Sequence, residues 1–153
     1  MKTQLIALLA LITACMVANA DTSLTAYGTY WEGDDTGNGV GLRLKKTILG
    51  FGAIEGRGGQ VKFDDTDTDV IPLDLSLNVR LPFMISPYAG VGAGYYLIDS
   101  KIPNLENVSG YFGQIGMEAT FVWIGVMAEI RWHDIEGSYL DGTSFNLGVL
   151  VKW

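Results

Sequence analysis

The chain has a single histidine, His133, and it stands beside Asp134 with Glu136 and Ser138 close behind. Imidazole, carboxylate and hydroxyl are the parts of an ester-hydrolysing site, in which the ring takes the serine proton and the acid orients the ring. Nearness in sequence does not build such a site, and a strand end running into a loop accounts for the same residues. A second group, Asp64-Asp65-Thr66-Asp67-Thr68-Asp69, offers oxygen ligands to a divalent cation, with Asp64, Asp65, Asp67 and Asp69 as the candidate ligands and Asp34 and Asp35 as helpers. It lacks the glycine and the distal glutamate of a hand-type calcium loop, so a solvated surface loop is the simpler reading. A third, Gly90-x-Gly92-x-Gly94, resembles a dinucleotide loop only in its spacing. No helical pattern follows it, and glycines facing a crowded interior beside Tyr88 and Tyr96 need only sterics. No cofactor, no nucleic-acid partner and no catalysis are expected from these patterns.

The elements that would hold these residues begin after a targeting segment, residues 1–20. Lys2 supplies a charged start, residues 5–12 form an apolar run too short to cross a bilayer as a helix, and Ala18-Asn19-Ala20 precedes Asp21 as a cleavage signal. Ile12-Thr13-Ala14-Cys15 resembles a lipobox and offers lipidation at Cys15 as the alternative. Cleavage after Ala20 is preferred because Asp21 leads directly into the first strand. It also removes the only cysteine, leaving no disulfide or thiol chemistry.

Residues 21–153 are then a single domain. With 48% hydrophobic residues, 18% charged and 20 glycines, the composition suits a glycine-rich all-β protein. Candidate strands run over 22–31, 39–46, 49–63, 70–81, 88–98, 108–121, 122–133 and 144–153. The clearest is the fourth, where Leu73, Leu75, Leu77, Val79 and Leu81 alternate with Asp74, Ser76, Asn78 and Arg80. In the last, Phe145, Leu147, Val149, Val151 and Trp153 share one face, and Asn146, Gly148 and Lys152 the other. The first strand alternates only loosely. The glycines of 49–63 leave the register of that strand weakly specified.

Links after the second, fourth and sixth strands read as short, and those after the first, third, fifth and seventh as long and acidic. The long links hold most of the 17 carboxylates and, apart from Lys62 at a strand end, one base, Lys101. An even strand count puts both termini at the opposite end. Short turns, long loops and even number fit an all-β, eight-stranded antiparallel up-and-down transmembrane barrel.

The arrangement resembles the small OmpA/OmpX-like outer-membrane β-barrel family over the whole of 21–153. The residues carrying the likeness are Ile71-Pro72-Leu73, the run from Ser86 to Tyr96, Ala128-Glu129-Ile130-Arg131-Trp132 and the final Trp153. The resemblance implies a bacterial outer-membrane location, contact with outer-membrane lipids, and an assembly signal in Phe145 and Trp153 read by the barrel-assembly machinery. With no appended peptidoglycan-binding domain, the barrel-only form is the nearer comparison. The acidic loops would be extracellular and both termini periplasmic.

With lipid outside, the polar faces fill a narrow lumen, where Arg43, Arg57, Arg80 and Arg131 would meet Glu55, Asp74, Glu118 and Glu129. A salt-bridged plug is expected rather than a selective pore. Aromatics near strand ends, Tyr30, Phe121, Trp132 and Trp153, would sit in interfacial girdles. The expected role is therefore structural or surface interaction. The alternatives are a lipid-modifying enzyme of lipid A hydrolase type and a soluble periplasmic lipocalin-like barrel with its apolar face inside.

Overall fold

A computed structural model describes residues 22–48, 50–99, 107–135 and 140–153. Eight strands follow in order: β1 (Thr22–Gly33), β2 (Thr36–Ile48), β3 (Gly52–Phe63), β4 (Thr68–Arg80), β5 (Ile85–Asp99), β6 (Val108–Phe121), β7 (Ile124–Asp134) and β8 (Gly142–Lys152). Each pairs antiparallel with the next, and β1 pairs with β8, so the sheet closes into a barrel without edges. The targeting segment, Cys15, Lys101, Glu136 and Ser138 lie outside the described residues.

The strands are longer than the sequence pattern indicates, and this changes the loop picture. β2 starts at Thr36 because the β1–β2 ladder continues through Trp31↔Gly37 and Glu32↔Thr36, leaving Asp34 and Asp35 alone as the link. The expected long loop after the first strand is thus a tight turn. The connection after β3, residues 64–67, is no longer than that after β4, residues 81–84. Only 100–107 and 135–141 are markedly longer than the turns at the other end. Turn and loop residues can be drawn into a hairpin ladder, which alternation does not register.

The register puts polar residues inside and apolar residues outside. Arg43 is fully buried at 0% exposure, whereas Leu75 and Leu77, at the same depth on the outer wall, are each 62% exposed. Val40, Leu42, Val79, Val91, Val126, Leu147 and Val149 complete this belt. A lipocalin-like barrel has the reverse polarity. At one edge of the belt lie Tyr30, Tyr95, Tyr111 and Trp132; at the other lie Phe51, Phe83, Phe121, Trp123 and Trp153. Phe145 pairs with Tyr30 near the loop end, so it and Trp153 occupy opposite ends of β8.

Two details fix the ends. Thr22 and Trp153 exchange both backbone hydrogen bonds at 3.0 Å, which seals the β1–β8 seam to its last residue. The turn Val122-Trp123 between β6 and β7 holds Val122 at φ 57, a left-handed conformation that a β-branched side chain strains to adopt.

Candidate functional site

The interior is built in tiers. The middle tier is an ion-pair network whose members come from strands that alternate charged with apolar residues. Arg57 of β3 lies between Glu55 and Glu129, donating to each at 2.6 Å. Arg43 reaches Glu118 at 2.5 Å and Glu55 at 3.5 Å, and Lys45 pairs with Glu118. Arg131 bonds Asp74 at 2.7 Å and lies 3.9 Å from Glu129. Neutral donors complete the coordination: the Tyr88 hydroxyl gives Glu129 a 2.6 Å bond, and Ser76 and Gln114 each reach Glu55 at 3.0 Å.

Every charge here is buried, so each requires a partner or several kcal/mol are lost. The pairs match four cations, Arg43, Lys45, Arg57 and Arg131, with four carboxylates, Glu55, Asp74, Glu118 and Glu129. Aromatic rings pack over the guanidinium planes, Phe112 at 3.8 Å from Arg131 and Tyr27 at 5.5 Å from Arg57. The glycines of β5 and β6 make room for such rings. A Cβ on Gly116 would stand 2.6 Å from the Tyr88 ring, and one on Gly92 would collide with Phe112. This crowding accounts for the Gly90-x-Gly92-x-Gly94 spacing.

Of the eight residues expected in this network, seven form it. Arg80 does not. It sits nearer the mouth at the turn end, bonding the hydroxyls of Thr47 at 3.2 Å and Ser86 at 3.0 Å. Lys45 takes a place in the network that the sequence reading did not give it, although its position opposite the apolar face of β2 marks it as inward. Tyr27, Tyr88 and Phe112 were likewise signalled only by period.

The second tier closes the loop end and is apolar. Trp31, Val61, Phe63, Val70, Tyr96, Ile135 and Leu140 form one buried cluster, with Ile98 and Val108 against it. The Trp31 indole donates to the Leu140 carbonyl at 3.2 Å and packs edge-on to Phe63 and Tyr96. His133 lies beneath, stacked on Trp31 with centroids 3.9 Å apart. Its Nε2 is 2.9 Å from the Ser144 hydroxyl and its Nδ1 is 3.1 Å from the Tyr96 hydroxyl.

The hydrolytic grouping weighed from the sequence around His133 is not assembled among the described residues. Asp134 follows His133 on a strand and so points to the opposite, exposed face. A serine does meet the ring, but it is Ser144, and Tyr96 rather than a carboxylate holds the other nitrogen. His133 and Ser144 are buried beside the Trp31 cluster, of which Tyr96 is itself a member.

Above this cluster Asp35 ties two connections together. It accepts bonds from the Thr66 hydroxyl at 2.8 Å and from the backbone N–H groups of Asp65 at 3.2 Å and Thr66 at 3.1 Å. Burial opposes its charge, but the Thr66 hydroxyl and the backbone donors outweigh that and hold its carboxyl below the ordinary range. Asp67, at φ 46, pairs with Lys62 at 3.2 Å. Asp64, Asp65, Asp67 and Asp69 therefore do not converge, and no group of three potential metal ligands occurs among the described residues.

Neither a protein-family model nor a curated protein sequence matches this chain. Solved structures do match. Neisserial surface protein A overlays with a TM-score of 0.68 at 13% identity, covering 86% of this chain and 96% of that one. The outer membrane protein OprG of Pseudomonas aeruginosa gives 0.70 at 14% identity, with 89% and 97% covered. The chain has the fold of the small outer-membrane barrels. The N-terminal β-barrel domain of Pseudomonas aeruginosa OprF extends the set, with a TM-score of 0.64, 12% identity and coverage of 88% and 100%. This is the fold that the OmpA/OmpX-like resemblance implies, and at these identities the likeness is one of backbone only.

Proposed function

We propose that the chain is an integral outer-membrane barrel of structural or surface-interaction type, with neither catalysis nor a conducting lumen. The observation that carries this reading is the polarity of the wall: an apolar belt outside, a charge-filled interior inside. In water the belt would expose a continuous apolar surface far larger than a soluble monomer tolerates. In lipid it is matched, and strands of 11 to 15 residues are long enough to cross when tilted. The fold shared with outer-membrane barrels supports the location.

In this reading the acidic connections face the exterior and both termini face the periplasm. The barrel-assembly machinery engages β8 with Trp153 at its end. Carbonate or urea extraction of membranes tests the central point: the protein should stay with the membrane and should migrate differently on gels before and after boiling. Release into the soluble fraction would overturn it. Planar bilayers should record no steady conductance, because the ion-pair tier and the apolar tier fill the bore.

A further inference from the structure

The outer wall over β4, β5, β6 and β7 carries a groove, and the strand register explains its shape. Leu77, Val91, Gly113 and Trp132 form one cross-strand row, and Leu75, Ala93, Tyr111 and Asp134 form the next. Gly113 interrupts the first row and Ala93 the second, so the wall is notched between the leucines and the aromatic rings. A Cβ on Gly113 would meet nothing within 4 Å. The notch opens into a groove of about 630 Å³ lined by residues of both rows, within the roughly 300–1,000 Å³ typical of ligand clefts. Because barrel strands tilt by roughly 35–45°, the rows slope. The groove therefore runs from the middle of the belt at Leu75 and Leu77 to its loop-end edge at Trp132 and Asp134.

The upper end of the groove holds polar groups that the protein does not use. Asp134 is exposed, and its carboxylate makes no hydrogen bond or ion pair with any described residue. The Tyr111 hydroxyl and the Trp132 indole N–H are also without partners among the described residues. No described base faces this carboxylate: Arg43, Lys45, Arg57 and Arg131 are inside the bore, Lys62 is paired with Asp67 on β3, and the others lie at the turn end. One acceptor of negative charge thus stands beside two neutral donors and two aromatic rings, at the head of an apolar trough.

We propose that this groove binds one lipid whose headgroup carries a primary ammonium next to a phosphate, a proposal that rests on the membrane reading above. The ammonium is held by the Asp134 carboxylate beside the two rings, the phosphate oxygens accept from Tyr111 and Trp132, and one acyl chain lies over Gly113 toward Leu75 and Leu77. Each part of the zwitterion meets its complement. A quaternary ammonium also suits the rings but has no N–H to give the carboxylate, so the primary amine is preferred.

The test uses the isotope-labelled barrel folded into phosphatidylcholine nanodiscs, with insertion checked by gel migration before and after boiling. Phosphatidylethanolamine of matched acyl chains then replaces phosphatidylcholine stepwise, and the Trp132 indole N–H resonance, identified by its loss in Trp132→Phe, is followed. We expect a saturable shift at Trp132, with Trp123 and Trp153 at the turn end unmoved. Phosphatidylglycerol, which has the phosphate without the ammonium, should not reproduce it. Asp134→Asn should lower the preference for the ethanolamine lipid about three- to five-fold, the scale of an exposed charged contact. Gly113→Leu, which fills the notch from a position open to lipid, should remove the saturable shift while gel migration stays the same; if that variant does not fold, the Asp134→Asn comparison decides alone. Asp99→Asn, an exposed carboxylate at the same end but outside the groove, should change nothing.

An equal response in wild type and Asp134→Asn, or an equal response to phosphatidylglycerol, would be a bulk effect of the bilayer and overturns the site. So does a shift that follows the number of barrels per nanodisc, which would put a second copy of the chain in the groove. A barrel that fails to insert sinks the membrane reading and the site with it, whereas insertion without a shift sinks the site alone.

Discussion

Arg57 and Glu129 offer the most direct measure of how dry the lumen is. The guanidinium fork donates to both carboxylate oxygens, each at 2.6 Å, deep inside the barrel. With charge centres roughly 4 Å apart, the attraction is about 4 kcal/mol at an effective permittivity near 20 and about 1 kcal/mol in bulk water. A double-mutant cycle separates the two. Glu129→Gln leaves Arg57 with Glu55 alone, and Arg57→Met leaves Glu129 with the Tyr88 hydroxyl, Asn146 and a distant Arg131. Each single change should cost about 3–5 kcal/mol, because it strands a buried charge. The double variant removes one cation and one anion, so the remaining network is again balanced. Its cost should fall short of the sum by about 2–4 kcal/mol. Urea titration of protein folded into phosphatidylcholine vesicles, followed by tryptophan fluorescence and gel migration, measures all four states. A coupling of about 1 kcal/mol or less would mean that water screens the pair, and the filled-lumen reasoning would be wrong.

Four further predictions follow from single positions. Leu75→Arg, on the lipid-facing wall, should destabilise the barrel in vesicles by about 2–4 kcal/mol, whereas Ser76→Arg acts inside by crowding Glu55; a harmless Leu75→Arg would reverse the assignment of faces. Trp153→Asp keeps the two backbone bonds to Thr22, so folding in vitro should be little changed while surface levels in cells fall; normal levels would rule out an assembly signal there. Because the Asp35 carboxyl sits below its ordinary range, its contribution is complete above about pH 4 and is lost as pH falls toward the lowered value. Protection of the Asp65 and Thr66 amides, taken relative to the intrinsic exchange rate at each pH, should fall over that range in the wild type, and Asp35→Asn should remove that fall. Val122→Gly should relieve strain at φ 57 and raise stability by about 1 kcal/mol, as read from the urea midpoint; a loss would show that its side chain is held by more than the backbone.

Much of the barrel is legible because strand alternation reports two different surroundings. Leu73 to Leu81 against Asp74 to Arg80 fixes both the strand and its facing, and the register of β4 with its neighbours keeps every one of those leucines outward. Strand ends were less legible, since Thr36, Gly37 and Asn38 look like turn residues and become ladder residues only when β1 supplies their partners. The ion-pair tier was visible as residue types on inward faces. The pairing was not, because Arg57 meets Glu129 across the bore, a distance fixed by closure of β1 on β8 rather than by any local spacing.

The apolar tier was the least legible, for a physical reason that makes it informative. Alternation exists only where the two faces of a strand meet different media. At the loop end Trp31, Val61 and Phe63 point inward while Glu32, Gln60 and Lys62 point outward, so the period of two persists but its polarity reverses. That reversal is why β1 alternates only loosely and, together with the glycines between Glu55 and Gln60, why β3 resists a register from sequence. The same positions must be apolar because His133 lies directly beneath Trp31, and the ion-pair network beneath that. Water reaching those pairs from the loop end would weaken every one of them. The reversal of polarity near Trp31 thus marks the depth at which the interior changes from a charge-lined bore to a hydrophobic seal. The length of each strand over which its apolar residues point outward is the length that needs a polar inside and an apolar outside.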